Sequence, residues 1–127
     1  MTKTERQFIV IGCILGGLSV ALGAFGAHGL RDIVAPNLLD NYETGVRYQF
    51  FHAFALIAAG LVYPKLSQSK FAKYAGWLFL IGTIIFSGSL YGIALTGMRW
   101  LGAITPIGGV AYVVGWACLA YAVWQSK

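Results

Sequence analysis

Four apolar segments limit what this chain can become: about 8–28, 48–63, 74–96 and 101–124. The first holds roughly the 20 residues that cross a hydrocarbon core. The second is short by itself, so it is read as continuing a helix that starts in the polar stretch before it. Charged residues make up 10% of the chain and hydrophobic ones 58%, with mean hydropathy +0.73. A soluble domain carries about 25% charged residues. A chain this poor in charge cannot cover a surface that faces water, whereas a surface that faces lipid can be as apolar as the interior. The expected fold is an all-α membrane protein: a single domain, a bundle of four transmembrane helices, with an amphipathic helix outside the membrane merging into the second span.

Small residues recur at helical spacing. Gly12, Gly16, Ser19, Gly23 and Ala27 form one stripe of the first span. Gly17, Ala21, Ala24 and His28 form a second stripe beside it. Gly108, Ala111, Gly115, Cys118 and Ala122 repeat the pattern in the fourth span. So much glycine would be costly in a soluble helix. In lipid, small faces let backbones approach and dispersion contacts hold the helices together. These residues are therefore assigned to helix packing. Four helices carry more such stripes than one bundle needs, which makes a homo-oligomer an expected partner state alongside membrane lipid.

Between the first two spans lies a polar stretch, 29–47, with Asp32, Asp40 and Glu43. Gly29 is read as the stop of the first helix. Pro36-Asn37 is a turn-and-cap signal, with the new helix starting at Asn37. Glu43 and Arg47, four apart, can pair. Pro64 ends the second span, and Lys65, Ser67, Gln68, Ser69, Lys70 and Lys73 make a basic connection. Thr83, Ser87 and Tyr91 share a face of the third span. Pro106 is placed in the first turn of the fourth helix.

Nine Lys and Arg give a net charge of +5, but they are scattered among apolar segments and form no nucleic-acid footprint. Lys3, Arg6, Lys65, Lys70, Lys73 and Lys127 fall on one side; Arg31, Arg47 and Arg99 fall on the other, with the acidic cluster. The positive-inside rule then puts both termini in the cytoplasm. Cys13 and Cys118 lie in spans and read as small buried hydrophobes, neighbours if the first and fourth helices pack.

The chemistry-bearing residues are few. His28 ends the first span and His52 lies early in the second, so a hairpin would set both in the outer leaflet. Gln49 stands three residues before His52 on its face, with Glu43 and Arg47 above and Tyr91 on the third span as a further polar group. Ionisable groups at membrane depth are functional candidates. The plainer account is that an interfacial histidine bonds a carbonyl or sits among headgroups. Bis-histidine haem ligation needs both imidazoles in one wide cavity. A zinc site needs a third ligand, from Asp32 or Glu43. No nucleophile elbow or phosphate loop is present. No cofactor, no metal and no catalytic residue is expected.

Four stretches carry a resemblance: Gly23-Ala24-Phe25-Gly26-Ala27-His28-Gly29-Leu30, Tyr48-Gln49-Phe50-Phe51-His52-Ala53, Phe86-Ser87-Gly88-Ser89-Leu90-Tyr91, and Ile104-Thr105-Pro106-Ile107-Gly108-Gly109. In order and spacing they resemble the domain-of-unknown-function 423 family, the YgdD-like small bacterial integral membrane proteins. The resemblance implies about four helices, a bacterial plasma membrane location and a relation to small eukaryotic transmembrane proteins. It implies no activity, cofactor or catalytic residue. The function expected is a structural, accessory or interaction role in that membrane. The alternative is a small transporter, channel subunit or ligand- or lipid-binding protein with an outer-leaflet site around His28 and His52.

Overall fold

The computed structural model describes residues 1–67 and 69–126; the basic residue Lys127 and the loop residue Gln68 named above lie outside the described residues. Helix α1 spans Lys3–Phe25 and continues as a π-helical turn, Gly26–Leu30. Its start is fixed by a capping box: Glu5 N–H donates to Thr2 Oγ1 at 3.1 Å, and Thr2 N–H donates to Glu5 Oε2 at 3.3 Å. Gly29 does not stop the helix. A Cβ there would come within 2.8 Å of the Phe25 ring, so its bareness seats that ring while the chain runs on to Leu30.

Helix α2 is one unbroken helix, Pro36–Val62, followed by a 3-10 turn, Tyr63–Leu66. It begins one residue earlier than the sequence suggests: Pro36 is the first helical residue and Ala35 the cap. A proline there lacks only an N–H that would have had no helical partner. Helix α3 spans Lys70–Thr96, capped by Ser69, whose Oγ accepts from Phe71 N–H at 3.2 Å. It ends at Gly97, whose φ of 72° is open to glycine at little cost. A 3-10 turn, Arg99–Ala103, leads into α4, Thr105–Gln125, with Pro106 in its first turn.

The four long apolar helices form a packed bundle in which each touches its chain neighbour: α1 on α2, α2 on α3, α3 on α4. The inner pair is α2 and α3; 44% of their apolar windows is buried, against 17% in α1 and α4. The main core lies toward the lysine-rich end, where Phe8, Leu56, Ala59, Ala75 and Phe79 meet. Phe8 lies over Gly76, where no Cβ would fit, and sets its ring edge-on to Trp77 at 5.3 Å. A second cluster, Leu30, Tyr42 and Ala94, closes the other end.

The stripes divide by use. A Cβ on Gly12 would lie 2.6 Å from Ile57 Cγ1 and 2.8 Å from the Ala53 carbonyl, so α1 and α2 touch there almost backbone to backbone. Gly16 and Gly23 face Ala53 and Val46, and Ser19 is buried beside them; Ala27 at the end of that stripe is exposed. Gly108 sits on the backbone of Phe86, Gly115 on the ring of Phe79, and Ala111 is half-buried between them. The second stripe of α1 lies at the surface: a Cβ on Gly17 would meet nothing within 4 Å, and Ala21, Ala24 and His28 are exposed. Cys13 is exposed and Cys118 half-buried. Cys118 packs against the core that holds Phe8 and Phe79, and both cysteines are free thiols.

Candidate functional site

The polar side chains of the spans form a ladder of cross-links between helices. Tyr42 Oη donates to the Leu22 carbonyl at 2.6 Å, joining α2 to α1 near the acidic end. Two turns further along α2, Gln49 Nε2 donates to the Leu15 carbonyl at 3.0 Å. A carbonyl can only accept, which fixes the amide: its Oε1 faces α3 and accepts from Tyr91 Oη at 2.6 Å. One turn before Tyr91, Ser87 Oγ donates to the Gly45 carbonyl at 2.6 Å. Tyr112 of α4 donates to Thr83 at 2.9 Å, and Ser89 and Thr105 share a bond at 2.5 Å.

His52 sits deep in this ladder and is 5% exposed. Its Nδ1 lies 2.7 Å from the Tyr48 carbonyl, and Trp116 Nε1 donates to its Nε2 at 3.0 Å. The indole only donates and the carbonyl only accepts, so the imidazole is neutral with its proton on Nδ1. Tyr112 stacks on the ring at 3.5 Å and 8°. Both ring nitrogens and one ring face are taken by protein.

His28 is exposed on the π turn, and the two histidines do not share a site. Gly26, two residues before His28, abuts the Tyr42 ring. His52 lies ten residues beyond Tyr42 on α2, roughly 15 Å along the axis. The expected common depth fails because α2 starts at Pro36 and lies along α1 from its first turns, which carries His52 to mid-bundle. Glu43 and Arg47 are also exposed, and Arg47 donates to Thr44 Oγ1 at 3.2 Å rather than to Glu43. Of the six candidate residues, then, Gln49 and Tyr91 are bonded to each other, His52 is bonded to α4, and His28, Glu43 and Arg47 lie at the surface.

Among the described residues every buried side-chain nitrogen and oxygen has a hydrogen-bond partner. No three His, Cys, Asp or Glu side chains among them converge as metal ligands would. Two grooves open on the surface, one by Trp116, Leu119 and Trp124 on α4, one by Val20, Val46 and Arg47 between α1 and α2. Sequence reasoning missed Tyr42, Tyr112 and Trp116 as partners. The only available signal was weak: Tyr112 and Trp116 stand four apart, on one face of their helix.

Comparison with known proteins adds the relatives. A family described as a protein of unknown function, DUF423, matches residues 22–109. A UPF0382 membrane protein of Staphylococcus epidermidis is 44% identical over 117 residues, covering 92% of this chain and 94% of the relative. The UPF0382 membrane protein YwdK of Bacillus subtilis is 44% identical over 117 residues, covering 92% and 95%. A UPF0382 membrane protein of Haemophilus influenzae is 40% identical over 123 residues, covering 97% and 98%. No solved structure matches the chain.

Proposed function

This chain belongs to the DUF423 (UPF0382) family of membrane proteins, and from that premise we propose that it is a structural or accessory component of the bacterial plasma membrane, acting through its surfaces rather than by catalysis. The observation that carries this reading is the closed ladder: the buried polar groups of the described residues are all engaged within the bundle. A transport or ligand site needs polar groups that converge on a space and remain free for a guest. His52 is the best-equipped of them, and protein groups hold both its nitrogens.

Lys3, Arg6, Lys65, Lys70 and Lys73 gather where α1 begins, α2 ends and α3 begins. That end is the cytoplasmic one in this reading, and α1 and α4 offer exposed apolar faces to lipid or to a second copy. The test is flux. Proteoliposomes of the purified chain should pass protons, potassium and chloride no faster than empty liposomes. A protein-dependent flux that His52→Ala changes would overturn the proposal.

A further inference from the structure

The side of the bundle where α1 meets α2 carries a charge that a plain packing element does not need. A groove of about 250 Å³ runs there, walled by Val20, Gly23 and Ala24 of α1 and Val46 and Phe50 of α2, with Arg47 at its edge. Ser19 also lines it, with its hydroxyl turned to the Leu15 carbonyl, so Arg47 carries the one charge in an otherwise largely apolar lining. Val46 lies beside Gly23, so Arg47 stands level with the apolar run of α1. Gly23 stands about seven residues before Leu30, where the first apolar helix ends, so Arg47 lies roughly 10 Å along the axis inside that end. This is where the amphipathic start of α2 merges into its apolar part.

A lone cation at that depth has to reach something anionic or polar. Helical side chains tilt toward the N-terminus of their helix, and the N-terminus of α2 is at the near membrane surface. Arg47 follows that rule: its Nη2 donates to Thr44, three residues nearer that surface. Glu43, one turn above, is exposed and is not bonded to it. The guanidinium therefore turns toward the level of lipid phosphates, with donors to spare.

We propose that this groove binds one anionic phospholipid of the leaflet on the Asp32–Asp40 side, a phosphate oxygen on Arg47 and an acyl chain along Gly23 and Ala24. The site is separate from both histidines. A lipid is favoured over a second copy of the chain by charge: the lining sets one cation, Arg47, beside a largely apolar wall, which matches an anionic headgroup and its acyl chain.

Native mass spectrometry of the full chain reads this directly, after incubation with equal amounts of phosphatidylglycerol and phosphatidylcholine. One phosphatidylglycerol should be retained in preference to phosphatidylcholine. Arg47→Gln should weaken its retention about tenfold, a loss typical of one charge-assisted contact, and Arg47→Lys should restore part of it. Ala24→Leu fills the groove from an exposed position and should weaken retention with Arg47 intact. Melting in lipid-free detergent checks that each variant is folded, and either folded variant is sufficient for the test. Equal retention of both lipids, or retention unmoved by a folded variant, overturns the proposal. So does displacement by inorganic phosphate, which would mark a headgroup site without a chain. A dimer that Ala24→Leu dissociates while lipid retention is unchanged would give the groove to a second copy instead.

Discussion

Gly12 and Gly17 lie on the same helix and should respond in opposite ways to the same methyl group. A Cβ at Gly12 runs into Ile57 and the Ala53 backbone, whereas a Cβ at Gly17 meets nothing. Gly12→Ala should lower stability by about 1–3 kcal/mol through overpacking; Gly17→Ala should leave it unchanged or slightly raised. Thermal unfolding in detergent micelles checks both. The histidines form a second pair. His28→Ala removes an exposed side chain and should be silent. His52→Ala leaves the Trp116 indole without its acceptor and removes the ring under Tyr112, and should cost about 1–3 kcal/mol; an equal response of the two variants would contradict the separation described above. The sequence made Gly12, Gly16, Ser19 and Gly23 legible because a stripe with the helical period can face only one neighbour. It did not make the fate of His52 legible. Trp116 is 64 residues away, and the pairing depends on the register of two helices that have no local signature in common.

Helix α2 is the element on which the others depend. Through Gln49 it reaches α1, through Gly45 and Gln49 it reaches α3, and through His52 it reaches α4. The Tyr91–Gln49 bond should therefore show measurable coupling. In a double-mutant cycle of Tyr91→Phe and Gln49→Leu, read by unfolding in micelles, the coupling should be about 0.6 kcal/mol and not above ~1.7, the range for bonds between membrane helices. A value near zero would mean that shape, not the ladder, sets the α2–α3 register. The number of helices was readable from segment lengths and from Pro64 and Pro106. The depth of α2 was not, because the first turns of Pro36–Val62 are amphipathic and that pattern suits a surface helix as well as the start of a span. The turn at Gly26–Leu30 was hidden for a related reason: glycine is a common helix stop, and only the Phe25 and Tyr42 rings show that Gly29 and Gly26 are there to be covered.

At the scale of the molecule, the unequal charge of the two ends gives a direct test of orientation. On a background without Cys13 and Cys118, Asp40→Cys should react with an impermeant maleimide added to intact cells, and Lys65→Cys should not. Both positions are exposed; Ser69 in the same connection caps α3 and is the poorer reporter. The opposite labelling pattern would invert the protein in the membrane. The order of contacts has a consequence of another kind. Since α1 rests on α2 and α4 on α3, the chain is two hairpins that meet where α2 faces α3 and α4, held by Ser87 on Gly45, Tyr91 on Gln49 and Trp116 on His52. Each hairpin can enter the bilayer as it leaves the ribosome, and neither has to wait for the far end of the chain to be made. The first half would stand complete but unpartnered until α3 emerges, so a chain cut in the connection between α2 and α3 should still assemble when its two pieces are made together in one cell.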